Sequence, residues 1–425
     1  MRKRKSNIFA GIDLVLVLLF VVLVLFGWIN IYAATVDQEQ TSIFDFSTLS
    51  GKHLQKIIAN LALILITLSI DSKFYERFSG IIYILSLVLL VGLFAFGSTI
   101  NGATSWYNFG SLGLQPSEFA KAATALALAN FLSTPNKDLK NFNTQIRAFI
   151  IFLIPTVLIV LQPDAGSALI YLSLVFVLYR EGLPAYYLAI GLFAIFLFVL
   201  TLSLGLKITL IAVLTVVTGF FLYLARSNQV NFRRDWLKFI SIYIAIGLFI
   251  ISVNYVFNNV FEQRHRDRFA IVLGKTSDTQ GIGYNTNQSM ITIGSGGWTG
   301  KGFLEGDRTQ GNFVPEQHTD YIFSTVGEEW GFLGSTAIIL LFSAFIIRIV
   351  QLAERQKSDF SRIFGYAAAT IFFFHFLINV GMVIGLIPTI GIPLPFFSYG
   401  GSSLWGFTLL LFIFIRLDAD RTYVW

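Results

Sequence analysis

The sequence predicts an all-α polytopic membrane protein, a bundle of about twelve transmembrane helices with one large extracytoplasmic loop. Three observations carry that expectation. Of 425 residues, 55% are hydrophobic and 13% charged, whereas soluble domains run near 45–50% and about 25%. Long apolar runs recur along the chain, each near the roughly 20 residues a helix needs to cross hydrocarbon. Lys and Arg gather in alternate loops, as the positive-inside rule requires. A bundle of this size takes up most of the chain and leaves no room for a separate soluble catalytic domain. The formal charge of +6 belongs to the loops, and no basic helix or aromatic-interleaved stripe offers a nucleic acid partner. Zero cysteines exclude disulfides, thiol nucleophiles and sulfur-ligated metal.

Taken in order, the predicted spans are 12–33, 54–70, 80–97, 118–132, 148–161, 165–179, 186–204, 208–225, 236–257, 332–350, 362–384 and 403–415. The first follows Arg2, Lys3, Arg4 and Lys5 and has the outline of a signal peptide, but it lacks a convincing small-residue cleavage pattern and reads as a retained helix. Alternating the loops puts Arg2 to Lys5, Lys73, Arg77, Lys137, Arg180, Arg226, Arg348, Arg355 and Arg416 on one side. The short loops opposite hold only Lys52, Lys56 and Lys207. Both termini are therefore expected in the cytoplasm, and the long polar segment, about 258–329, outside.

Ionisable groups within spans cost about 2.5–3.5 kcal/mol each on insertion scales, so they persist mainly where they are paired or used. In Gln115-Pro116-Ser117-Glu118-Phe119-Ala120-Lys121, the proline and serine open a helix that puts Glu118 and Lys121 on one face. A structural ion pair and a contact to a charged substrate both fit. In Gln162-Pro163-Asp164-Ala165-Gly166-Ser167, the proline breaks a long apolar run and Asp164 is placed to cap the next helix. Asp13 is interfacial and receives no role.

The run from Gly385 to Ser403, with Pro388, Gly391, Pro393, Pro395, Ser398, Gly400, Gly401 and Ser402, cannot be continuous helix. Non-helical backbone at membrane depth survives only when buried in protein or facing water. It is expected either to line a cavity, where Ser398, Ser402 and free amides suit phosphate, or to form a plain re-entrant turn.

In the long loop, Gly294-Ser295-Gly296-Gly297-Trp298-Thr299-Gly300-Lys301-Gly302 lacks the residues of a phosphate-binding nucleotide loop. It reads as a flexible basic hairpin, with Lys301 and Arg308 either solvated or meeting an anionic head group. Phe313-Val314-Pro315-Glu316-Gln317-His318-Thr319-Asp320-Tyr321 then enters the span at 332. If helical, Glu316 and Asp320 would share a face, and their repulsion would raise one pKa toward a value suited to proton transfer. His318 fits a metal ligand, an orienting group or a solvated side chain.

Gly102-Ala103-Thr104-Ser105-Trp106, Gln115-Pro116-Ser117-Glu118 with Lys121, Gln162-Pro163-Asp164-Ala165-Gly166, Pro315-Glu316-Gln317-His318-Thr319-Asp320, Gly327-Glu328-Glu329-Trp330-Gly331 and the segment from Pro393 to Ser403 together resemble the shape, elongation, division and sporulation (SEDS) family. The resemblance implies a peptidoglycan glycosyltransferase that polymerises lipid II on the outer face of the bacterial cytoplasmic membrane, beside a class B penicillin-binding protein. It also implies that Asp320 is catalytic, with Trp106, Glu118, Lys121, Asp164 and Glu316 in the same constellation. Ile390 stands where division members usually carry lysine, so the chain resembles the elongation branch, with a division-branch polymerase as the alternative and elongation-complex membrane proteins as further expected partners. The chain departs from the family in two places. Ser105 replaces an arginine common in the first motif, and two spans more than the usual ten lie between 186 and 257.

For lipid II, an α-linked sugar diphosphate that becomes β-linked, one inverting displacement needs a base for the acceptor hydroxyl of the nascent glycan strand. It also needs positive charge for the leaving diphosphate, from Lys121, Lys301 or a divalent cation such as Mg or Mn. A lipid flippase is the competing class, because buried charges beside broken helices also describe a transport path. A non-catalytic scaffold gives the acidic turn no purpose.

Overall fold

The computed structural model describes residues 11–36, 43–100, 102–110, 112–135, 137–227, 232–261, 263–275 and 283–421. The basic cluster Arg2 to Lys5 lies outside them. Two compact units result, Met1–Pro184 with Asn285–Trp425, and Ala185–Tyr284.

The first unit opens with α1 (Leu14–Thr35), α2 (Leu49–Ser69) and α3 (Ser72–Phe96). Each starts on a polar side chain that accepts a free amide: Asp13 from Leu16, Thr48 from Gly51 and Asp71 from Lys73. A small antiparallel sheet follows, β1 (Ser98–Ile100), β2 (Ala103–Phe109) and β3 (Leu112–Leu114), in the order β1-β2-β3. It is a small addition to the helical fold the sequence predicts, built on the β-favouring Thr104, Trp106 and Tyr107 in a run too short to read as a span. Then come α4 (Pro116–Ser133), with proline at its first turn, α5 (Phe142–Val160), and the pair α6 (Ala165–Leu172) and α7 (Val175–Arg180), which together form the sixth predicted span.

The second unit contains α8 (Tyr186–Leu204), α9 (Leu206–Arg226), α10 (Phe232–Tyr255) with a π turn over Val256–Val260, and α11 (Gln263–Val272). Gly205, at φ +83°, makes the tight turn between α8 and α9. Its core is small, centred on Leu197, Val213 and Ile250. Much of its remaining apolar surface is exposed, including Ile190, Ile211, Val216, Phe220 and Leu248, as expected of helices whose solvent is lipid.

The first unit resumes with α12 (Tyr284–Ser295), α13 (Asp307–Gln310), α14 (Ile322–Glu329), α15 (Gly331–Glu354), α16 (Asp359–Val383) and α17 (Gly401–Asp420). All twelve predicted segments are helical, and nine helices among the described residues are long and apolar enough to cross a membrane. The protein is a polytopic helical membrane protein. Buried positions make up 89% of the α17 span and 67% of the α16 span, against 17% for α3, so α16 and α17 form the centre of their unit. α4 joins them through small buried residues, Ala120, Ala122, Ala123, Ala125 and Ala129, which let helices approach closely. A Cβ at Gly406 would lie 2.9 Å from the Glu118 backbone.

Between α16 and α17 the chain from 385 to 400 is non-helical, as the prolines and glycines require. Phe396 and Phe397 are buried there. Phe396 packs edge-on to Phe20 at 5.0 Å and to Phe345 at 5.7 Å. α1 comes so close that a Cβ on Gly27 would lie 2.6 Å from Phe397 Cα.

The helix ends sort their charges. At one end Asp13 pairs with Arg348 (2.6 Å) and Arg355 (3.6 Å), and Arg355 pairs in turn with the buried Asp418 (2.5 Å). Asp13, given no role from sequence, is thus a cap and an ion-pair centre linking α1, α15 and α17. The start of α2, the sheet, the start of α4, α14 and the 385–400 segment meet at the other end.

Candidate active site

Residues 315–321 form a turn rather than a helix. The expectation that Glu316 and Asp320 share a helical face is therefore corrected. Glu316 has φ +55°, a left-handed conformation that a non-glycine side chain adopts at a cost. It is stabilised by its carbonyl accepting the Thr319 and Tyr321 amides, while its carboxylate accepts the Thr319 hydroxyl at 3.0 Å.

The turn is anchored on every side. The buried Gln317 Nε2 donates to Ala34 O of α1 (2.8 Å) and Thr309 O (2.9 Å). Asn379 Nδ2 of α16 donates to Asp320 O (2.8 Å) and to Ile392 O (2.7 Å). The Tyr399 amide donates to His318 O at 2.9 Å. The partly buried Asp320 faces Gly391, where φ is +77° and a Cβ would lie 3.2 Å from Asp320 Oδ2. Burial holds His318 below its ordinary pKa, partly countered by Glu316, so its ring is neutral near pH 7 and suited to orienting.

Glu118 and Lys121 meet at 2.8 Å, both almost wholly buried. Lys121 Nζ also lies 2.8 Å from His375 Nε2 of α16. An ammonium has only donors to offer, so His375 accepts at Nε2, and its Nδ1 proton points to Pro393 O at 3.3 Å. The pair is thereby tied to the same non-helical segment that abuts Asp320. Asp164 caps α6 by accepting the Ser167 amide (3.0 Å) and also accepts Gln115 Nε2 (3.1 Å). Ser402 Oγ accepts the Gln115 amide (3.1 Å) and donates to Gly113 O (2.7 Å). Ser398 Oγ accepts the Leu394 amide at 2.8 Å. Both serines are buried and act within the protein, fixing the 385–403 segment instead of offering hydroxyls to a cavity. Trp106 stands on β2 with Gly113 of β3 beneath its ring, where a Cβ would lie 3.1 Å away.

Lys301 is not drawn into this group. It pairs with Glu328 (2.7 Å) and Asp307 (3.1 Å), which raises its pKa. Arg308 donates to Thr292 and Gln288. The segment expected as a flexible basic hairpin is thus folded around a carboxylate. Glu328 is fully buried and accepts from Ser295, Lys301, Arg308 and Thr309. Burial alone would raise its pKa, but these donors hold it below the ordinary range. Its neighbour Glu329 is also buried, with no hydrogen-bond partner of ordinary geometry. Burial, only partly offset by the Leu304 amide and reinforced by Glu328, pushes it up to about 8. Among the described residues no group of three or more His, Asp or Glu side chains is arranged to hold a metal ion.

Sequence reasoning missed His375, Asn379, Tyr399, His53 and Lys56. The signal for the first two was present, a His and an Asn one helical turn apart inside an otherwise apolar span.

A family model described as cell cycle protein, covering FtsW, RodA and SpoVE, matches residues 13–230 and 211–423. The chain belongs to the SEDS family. Among curated SEDS relatives it is 32% identical over 354 residues, 83% of this chain and 81% of the relative, to the peptidoglycan glycosyltransferase MrdB of Escherichia coli K12. To the peptidoglycan glycosyltransferase RodA of Treponema pallidum it is 31% identical over 441 residues, 96% of this chain and 98% of the relative. One solved structure, from work on how a peptidoglycan synthase complex coordinates polymerization and crosslinking, superimposes with a TM-score of 0.70 at 26% identity, covering 96% of this chain and 98% of that one.

Proposed function

We propose that this chain is a peptidoglycan glycosyltransferase that polymerises lipid II during cell elongation, with Asp320 as general base. The observation that carries the reading is the placement of Asp320. Its backbone is pinned by Asn379 and its carboxylate lies against a glycine of the broken segment, so a substrate can approach it where helical backbone would block the way. The activity follows the names of the relatives, and so does the elongation branch.

In the proposed reaction the acceptor hydroxyl gives its proton to the Asp320 carboxylate while its oxygen bonds to the anomeric carbon of the donor. The bond from that carbon to the diphosphate breaks, and the lipid diphosphate departs with the electron pair. Inversion converts the α linkage to β in one step. Glu316 and His318 orient the turn, and Trp106, Glu118, Lys121 and Asp164 shape the substrate grooves. The reading places the site on the extracytoplasmic face of the cytoplasmic membrane, with both termini inside, in agreement with the loop charges. The chain then acts as one SEDS membrane domain whose extra helix pair, within 186–257, packs lipid or a partner. A class B penicillin-binding protein transpeptidase is the proposed partner, supported by the synthase complex of the structural relative.

Asp320→Asn tests this. Purified protein supplied with labelled lipid II should lose polymer formation by about 100-fold or more with its thermal unfolding unchanged. Normal chain synthesis by that variant removes Asp320 from the mechanism, and translocation of lipid II without polymer by the wild type would mark a flippase.

A further inference from the structure

If the diphosphate of the donor must be neutralised, the cations first suggested by sequence are poorly placed for it. Lys121 is held by Glu118 and Lys301 by Glu328. Each would have to leave a carboxylate to serve a substrate. Lys56 is in a different position. It is half-buried on α2, and its ammonium lies 3.9 Å from the centre of the Tyr399 ring, with no carboxylate at ion-pair distance among the described residues. Tyr399 in turn has His318 at 5.6 Å on one side and His53 at 5.5 Å on another. His318 is two residues from Asp320, and its carbonyl accepts the Tyr399 amide.

His53 is a second, independent sign. It is fully buried, yet neither ring nitrogen has a hydrogen-bond partner among the described residues. Leaving a polar side chain buried and unpaired is costly unless a ligand satisfies it. Three residues along the same helix stands Lys56. A cation and an N–H donor share one face of α2 against the aromatic ring that backs the Asp320 turn.

We infer that Lys56, His53 and Tyr399 form an oxyanion subsite that receives the diphosphate of the lipid-linked sugar. Lys56 supplies the charge and a hydrogen bond to a phosphate oxygen, His53 a further donor, and Tyr399 fixes the ammonium by a cation–π contact so that little ordering remains on binding. The assignment rests on the glycosyltransferase reading above, and deepens it by naming what faces the leaving group.

The same phosphate chemistry is found on anionic phospholipids, so the experiment has two arms. Full-length protein is reconstituted in phosphatidylcholine nanodiscs, and binding of fluorescent lipid II is measured alongside polymerisation for wild type, Lys56→Met and Lys56→Arg. Lys56→Met should weaken lipid II binding about tenfold and lower kcat as well, because charge builds on the departing diphosphate, with the melting curve unchanged, and Lys56→Arg should restore most of both. A merely structural lysine would lower kcat and stability together and would not be rescued selectively by arginine. In the second arm, phosphatidylglycerol added to the nanodiscs should leave lipid II affinity nearly unchanged. Competition by phosphatidylglycerol on a par with lipid II would make this a bulk-lipid site and overturn the diphosphate assignment. Unchanged binding and kcat in Lys56→Met would overturn it as well. Lysine-dependent binding without any polymer from the wild type would uphold the subsite and sink the catalytic reading instead.

Discussion

Two carboxylate sites in the same unit, Glu328 and Asp320, are built on opposite plans. Glu328 lies fully buried among Ser295, Lys301, Arg308 and Thr309, its two oxygens surrounded by donors from α12, the following loop and α13. Asp320 is partly buried in a turn whose backbone is fastened by Asn379 and Tyr399, and its side chain faces the glycine of a broken segment. In the first, the side chain holds the structure together. In the second, the neighbouring elements hold the turn by its main chain, at Asp320 O and His318 O.

That contrast can be broken at either site. The largest effect is expected from Asp320→Asn, an activity loss of about 100-fold or more with the melting curve in place. Next is Glu328→Ala, which leaves the Arg308 and Thr309 amides without their acceptor and Lys301 with Asp307 alone. Each buried donor left unsatisfied costs about 1–3 kcal/mol, so the variant should unfold several degrees earlier in detergent and lose activity only as it loses fold. Should Glu328→Ala melt like the wild type while losing activity, the division of labour would be reversed. His375→Phe comes third. It strips Lys121 and Pro393 O of a partner, a cost of about 1–3 kcal/mol, and His375→Gln should recover part of it in the same melting assay.

The smallest effect is a change of slope. The Glu329 carboxyl titrates at about 8 in the fold against 4.5 without it, so the folded state binds the extra proton between those values. Its contribution is fully present below about 4.5 and disappears as pH rises through 8. Melting temperature should therefore fall from pH 6 to pH 9 in the wild type and fall less in Glu329→Gln. An equal decline in the variant would show that Glu329 is already ionised in the fold over that range.

Local arithmetic made part of this legible. Glu118 and Lys121 meet because three residues separate them on one helix. Asp164 caps α6 because a proline ends the helix before it, and the 385–403 segment is broken because its prolines and glycines permit nothing else. The cap of the loop and the bridges across the bundle were not legible. Lys121 and His375 are 254 positions apart, and nothing local to either announces the other. The same holds for Lys301, a partly exposed cation tied to the buried Glu328, and for Lys56 against Tyr399. The helical reading of 315–321 failed because Glu316 takes a backbone conformation that spacing alone does not reveal. The span pattern fixed which segments cross, and tertiary hydrogen bonds fixed what each polar group does there.

The first helix carries a consequence of its own. By composition α1 is interchangeable with any greasy anchor, and a foreign transmembrane segment in its place would still thread the bilayer. Yet the bare patch at Gly27 is where Phe397 rests its main chain, so α1 also works as a mould, pressing shape into a distant loop that has no regular structure to give it one. A swapped anchor would insert the protein faithfully and leave that loop uncast.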